Sequence, residues 1–236
     1  YFSPMAESFE AGLNNGWYNT AKPHSFGGFD VTFTINTVII PNSAKTFNIK
    51  DAGGTTFTSN EETAASIFGS EEATSMTYDV GNPIPPFNMP GGFKTAALPL
   101  PMIQAGIGLI KNTAIDIRYM PMLNVGDNIN VNLFGVGLKH DVLQWIPGIG
   151  DAIPMSLSLQ GGYTSLNTAL EISDQKVSLN TKATTINLVA SKKILMVTGY
   201  VGIGYNSATT TFAADANFNL NGVKFEETVE IDFESN

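Results

Sequence analysis

From residue 30 onward the chain alternates. "DVTFTINTVII" sets Val31, Phe33 and Ile35 against Asp30, Thr32, Thr34 and Asn36, a period of two that predicts a strand ending at Pro41. A shorter piece, "TFNIKDA", follows. Residues 51–93 then turn polar and irregular, with Gly-Gly, two acidic pairs and "NPIPPFNMPGG". They predict a long loop with one helical turn near 61–68, and loops of that length are often functional. After Lys94 alternation is almost unbroken: "MIQAGIGLI", "TAIDIRYMPM", "DNINVNLFGVGLKH", "MSLSLQGGYTS", "QKVSLNTKATTINLVAS", "ILMVTGYVGIGYNS", "TFAADANFNL" and "VKFEETVEIDF". "DVLQWIPGIGDAIP" does not alternate and predicts a turn or short helix at a rim. Lys192-Lys193 marks one tight turn. Asn221-Gly222 marks another, of the type I′ kind, setting Leu220 opposite Val223 and Phe218 opposite Phe225. The sum is nine or ten antiparallel strands in one up-and-down series, in a single domain.

The first 29 residues follow another period. Ser3 suits an N-cap and Pro4 a first helical turn, while Met5, Phe9 and Leu13 fall four apart on one face. Asn14, Asn15 and Gly16 stop a helix expected over about 4–13.

Strands with one apolar and one polar side can face either way. In a soluble β protein, the side turned to water usually carries many charges. Here charged residues are 14% of the chain, and Arg118 is the sole arginine; an average soluble protein has roughly 25%. The polar sides over 128–205 are mostly Ser, Thr, Asn, Gln and Gly. Several runs reach ten residues or more, and a membrane-spanning strand needs about 9–11. The expected fold is therefore all-β: an antiparallel up-and-down transmembrane β-barrel over 30–236, with long loop 51–93. Residues 1–29 precede it as a short helical segment. The competing reading is a soluble secreted β-sandwich of adhesin type. Tyr119, Trp145, Tyr163 and Tyr205, near strand ends, suit an interfacial girdle. Asp116 and Arg118, on one side of one strand, suit a lumenal polar pair. The exception is the last hairpin, whose polar side carries Lys224, Glu226, Glu230, Asp232 and Glu234. It is expected to project beyond a bilayer on the outer side.

Composition narrows the chemistry. The net charge of −9 speaks against nucleic acid. The absence of cysteine removes disulfides and thiolate metal sites. His24 and His140 stand far apart without an acidic pair beside them, so no metal or other cofactor is expected and both read as loop or strand-end histidines. The longest apolar region, 96–110, is interrupted by Pro99, Pro101 and Gln104 and is too short for a spanning helix. The opening residues do not read as a signal peptide. No Ser-His-Asp grouping and no phosphate-binding glycine loop stands out, so no catalytic residue is expected. One arginine is too few for the constriction of a diffusion porin.

"YFSPMAESFEAGLNNGWYNTAKPHSFGGFDVTF", "LPLPMIQAGIGLIKNTAIDIRYMP" and "GVGLKHDVLQWIPG…MSLSLQGGYTS" together resemble an uncharacterised family of Bacteroidota outer-membrane β-barrels. That family is similar in plan to long-chain fatty-acid transporter barrels and to the shuttle barrel of type IX secretion, which fold an N-terminal segment into the lumen. The resemblance implies that residues 1–29 are a hatch inside the lumen. It further implies location in a bacterial outer membrane, with lipid and other outer-membrane proteins as partners. It implies one of two non-enzymatic roles. One is a plugged barrel for hydrophobic small molecules, with Met5, Phe9, Leu13 and Trp17 as its apolar hatch. The other is an accessory subunit of a larger complex. The charged ending "IDFESN" departs from the terminal aromatic of such barrels, and further strands are expected beyond residue 236.

Overall fold

A computed structural model describes residues 1–53, 57–78, 86–125, 129–146, 154–172, 175–220 and 223–235. It is a mostly antiparallel β protein with a short N-terminal helix, and it divides into two compact units, Tyr1–Phe9 with Thr37–Leu100, and Glu10–Asn36 with Pro101–Asn236.

Helix α1 (Ser3–Asn14) begins earlier than the spacing predicts. The Phe2 carbonyl accepts from the backbone N–H groups of Met5 and Ala6, so Ser3 sits within the first turn and does not cap it. The stop falls as expected: Gly16 takes φ +75°, a left-handed position that glycine adopts without steric cost.

In the first unit, the stretch expected as a loop carries short strands. After β1 (Phe29–Ile39) come β2 (Thr46–Asn48), α2 (Ile49–Gly53), β3 (Phe57–Thr58), β4 (Thr63–Ala65), β5 (Thr74–Tyr78) and β6 (Phe87–Met89). β2 pairs with β4, and β5 pairs with both β3 and β6. The helical turn expected near 61–68 is instead β4 and its flanks. Ala64 and Ala65 are buried, and Ala64 packs with Ile49 and Met76 under Phe47, Phe57 and Met89. Residues too few for a periodicity signal form strands here because a local apolar cluster rewards the pairing.

The principal sheet has eight strands in the order β1, β7 (Ala97–Leu109), β8 (Thr113–Val125), β9 (Ile129–Asp141), β10 (Ser156–Ile172), β11 (Gln175–Ile194), β12 (Val197–Leu220) and β13 (Val223–Ser235). β1 and β13 are its two ends. The expected count is higher because it includes "TFNIKDA", which goes to the small β2–β4 pair, and because it divides β12 into "ILMVTGYVGIGYNS" and "TFAADANFNL", which run as one strand. Leu220 faces Val223 and Phe218 faces Phe225 in register, as Asn221-Gly222 predicts; that dipeptide itself lies outside the described residues. The turn expected at Lys192-Lys193 comes two residues later. Ile194 pairs with Val197, and Leu195 takes φ +56° in the two-residue link. Pro121 marks a one-residue bulge between Met120 and Leu123, because proline offers no N–H to the ladder. The non-alternating stretch after β9 contains a 3-10 turn at Leu143–Trp145.

The sheet is rolled within the second unit. In a flat sheet β1 and β12, six strand steps apart, would lie about 29 Å from each other. Yet Gly16 lies against Asn36 of β1, Trp17 against Gly137 of β9 and Gly162 of β10, and Tyr18 against Gly202 of β12. Three consecutive residues can meet all four strands only if the sheet curves around them.

Candidate functional site

The rolled sheet has opposite characters on its two faces. On the outside, Phe33 is 65% exposed and Ile203 77%, in company with Val31, Ile35, Ile117, Phe134, Val136, Leu138, Leu159 and Ile186. On the inside, Gln160, Thr164 and Thr181 are 0% exposed, and Ser158, Thr185, Asn187 and Thr210 are buried with them. Soluble domains bury apolar side chains and solvate polar ones. Here the period-two alternation runs the other way. The inner face is not wholly polar: Met120, Leu133 and Leu166 are neighbours in register across β8, β9 and β10, and all are buried.

What fills the inside of the roll is the chain's own segment 13–28. Its seat is written in the register. One inner rung runs Gly106, Asp116, Gly137, Gly162, Thr185, Asn206 across six strands. The Trp17 indole, 1% exposed, lies over this rung. A Cβ on Gly137 would stand 2.6 Å from the ring and one on Gly162 2.5 Å, so only glycine fits under it. Arg118, on the neighbouring rung, lies with Cζ 3.7 Å from the centre of the same ring, a cation–π arrangement. Each of its three nitrogens donates one hydrogen bond: Nε to Gln104 Oε1 (2.8 Å), Nη1 to the Leu13 carbonyl (3.0 Å) and Nη2 to the Asn15 carbonyl (2.8 Å). A cation on the last carbonyls of α1 also meets the negative end of the helix dipole. Further along, the Ala21 N–H donates to Ser191 Oγ at 2.9 Å, and Gly27 and Gly28 exchange backbone hydrogen bonds with Gly108.

The residues singled out from the sequence fall as follows. Met5, Phe9, Leu13 and Trp17 are all buried, the first two in the first unit and the last two in the second. Asp116 and Arg118 share the inner face, but Arg118 spends its donors on α1 and Gln104 while Asp116 Oδ2 has no hydrogen-bond partner. Tyr119, Trp145, Tyr163 and Tyr205 all point outward and are exposed. Trp145 is anchored: its Nε1–H donates to His140 Nε2 at 2.8 Å, which leaves Nδ1–H of a neutral ring to donate to Thr113 Oγ1 at 2.8 Å. His140 is thus the strand-end histidine expected. His24 lies in irregular backbone, the loop position expected, and there its Nε2 donates to Asp30 Oδ1 at 2.8 Å. The pair escaped sequence reading because it joins the loop to the start of β1 and no regular spacing announces the contact.

Beside the plug lies a cavity of about 750 Å³ within the second unit. Asn14, Asn19, Thr32, Asn36, Asn187 and Asn206 contribute amides and hydroxyls; His24, Asp30, Asp116 and Lys139 contribute titratable groups. Its lining was hidden in the sequence: it draws on the plug and six strands, and only the roll brings them together. Among the described residues, no group of three or more His, Asp or Glu is placed to hold a metal ion. No helix among them is long and apolar enough to cross a membrane, which says nothing of crossing with strands.

These features define a class: an antiparallel β protein rolled around its own N-terminal segment, apolar without and largely polar within. Over residues 1–236 the chain matches a family of unknown function, DUF6588, and it belongs to that family. No curated protein and no solved structure matches it.

Proposed function

We propose that the chain is a non-enzymatic β-barrel of a bacterial outer membrane, closed by its own N-terminal segment, and an accessory subunit of a larger outer-membrane assembly. The observation that carries this is the inverted burial: large apolar side chains exposed along the strands, hydroxyl and amide side chains inside. Exposed apolar surface on this scale is costly in water and favourable against acyl chains. The exposed Tyr119, Trp145, Tyr163 and Tyr205 suit the headgroup region. β12, at 24 residues, is more than twice the length a tilted strand needs to cross a bilayer, which supports a hairpin with β13 reaching beyond it. The resemblance to Bacteroidota outer-membrane barrels points the same way.

The subunit role is favoured over passage of hydrophobic molecules by the interior. A hydrophobic cargo would need an apolar route. The cavity is lined by amides, hydroxyls and charges, and the plug is seated by glycines that admit no other residue under Trp17.

Fractionation tests the reading. The protein is expected to sediment with membranes, resist alkaline carbonate, dissolve only in detergent and run faster on gels before boiling than after. Native electrophoresis of gently solubilised membranes is expected to show it in a large assembly. Recovery in buffer without detergent would replace the barrel with the secreted β-protein reading. A lone detergent-solubilised monomer would remove the subunit role.

A further inference from the structure

The cavity contains two opposite charges that attract each other without closing into an ion pair. Asp116 and Lys139 are both buried and both line it. They occupy adjacent inner rungs, since Asp116 pairs with Gly137 and Lys139 with Ala114. Asp116 Oδ2 is buried without a hydrogen-bond partner, and among the described residues no ion pair joins the carboxylate to the ammonium. The other charged groups of the cavity wall are His24 and Asp30. The Asp30 carboxylate is already occupied: Oδ1 accepts from His24 and Oδ2 from the Thr32 hydroxyl at 2.9 Å. Arg118 is occupied by α1 and Gln104. A further acceptor on the wall, Asn14 Oδ1, is also buried and unpartnered. Asp116 Oδ2 and Asn14 Oδ1 thus lack donors, and the Lys139 ammonium, whose charge acts on Asp116, forms no ion pair among the described residues.

We propose that this cavity binds a small zwitterion, a free amino acid or short peptide, with its ammonium on Asp116 and its carboxylate on Lys139. A buried charge is tolerated when it is paired and hydrogen-bonded. An anion would satisfy Lys139 and leave Asp116 bare beside it. A cation would do the reverse. A neutral polyol can donate and accept but neutralises neither charge. Only a ligand carrying both signs compensates both groups, and charge-assisted hydrogen bonds to each fix its orientation. The surrounding asparagines offer donors and acceptors for a peptide backbone. The inference depends on the interior geometry and not on where the protein resides.

The test uses the full chain, in detergent or plain buffer, whichever keeps it folded, so failure of the membrane reading leaves it intact. Trp17 lines the cavity, and in a Trp145→Phe background its emission is the probe. Glycylglycine is expected to change that emission saturably. N-acetylglycylglycine, glycylglycinamide and sorbitol are expected to bind at least about tenfold more weakly, each lacking one or both charges. Asp116→Asn and Lys139→Met are expected to lose a similar factor for glycylglycine while gaining relative affinity for the probe lacking the matching charge. Should either variant fail to fold, the four probes on the Trp145→Phe protein decide alone. No saturable response to glycylglycine, or equal responses to it and sorbitol, would overturn the proposal and leave the gap to water.

Discussion

At the scale of single residues, steric fit and charge placement decide whether the plug stays seated. Gly137 and Gly162 lie under the Trp17 ring, whereas a Cβ on their neighbour Gly161 would meet only the Thr185 carbonyl oxygen, at 4.0 Å. Gly137→Val and Gly162→Val are expected to displace the indole, at a cost of about 1–3 kcal/mol as in other overpacked sites. Gly161→Ala should be silent. Trp17 emission in the Trp145→Phe background, shifted to longer wavelength by exposure, reads the difference. Arg118 carries a second test. Arg118→Ala strips partners from Gln104 Oε1 and from two carbonyls at the end of α1, each loss costing on the order of 1–3 kcal/mol. Arg118→Lys restores the charge without the planar fork and is expected to recover only part. Limited proteolysis of the first thirty residues, faster in the order wild type, lysine, alanine, would bear this out. Equal rates in all three would remove Arg118 as the clamp.

At the scale of elements, the turns and short strands show where sequence patterns give out. Alternation located β1 and β7 to β13, because each has enough positions for a period to be visible, but it ended β10 seven residues early and divided β12 in two. The β11–β12 turn was misplaced because a lysine pair reads as a turn tip, yet the inter-strand register sets the link at Leu195-Met196. That leaves Leu195 in a left-handed conformation that leucine adopts at a cost. Leu195→Gly or Leu195→Asn is expected to stabilise the protein by up to about 1 kcal/mol, read as a higher midpoint in urea refolding titrations. No change, or a loss, would mean that this apolar side chain has a role outweighing its backbone strain. The strands β3 to β6 were not legible at all, and β2 only as the short piece "TFNIKDA". With two to five residues each, they carry no period, and their pairing follows from clusters such as Ile49, Ala64 and Met76 that join distant parts of the chain.

At the scale of the whole molecule, the orientation of the two faces is the property from which the rest follows. If the outer face meets lipid, Val136→Lys and Ile186→Lys should each cost about 2–4 kcal/mol near the middle of the bilayer. Folding into vesicles, followed by gel mobility before boiling, measures it. In a protein surrounded by water the same changes, at positions already exposed, would be near neutral. Planar bilayers offer a second readout. The wild-type protein is expected to conduct little, and Gly162→Val, by unseating Trp17, to conduct more. An open wild-type pore would contradict a lumen closed by its own N-terminus.

The sequence by itself determined the antiparallel strands, the short leading helix and the segregation of apolar from polar side chains. These depend on spacing along the chain: two residues for a strand, nearly four for a helix. The low charge of the polar side was enough to suggest that it faces inward. Only the tertiary structure decided what that interior contains. The glycine seat under Trp17, the clamp of Arg118 on α1, the His24–Asp30 bond and the opposed charges of Asp116 and Lys139 all join residues that no local period relates. They come together because the sheet rolls around segment 13–28, and a roll is a property of strands in register rather than of any one of them.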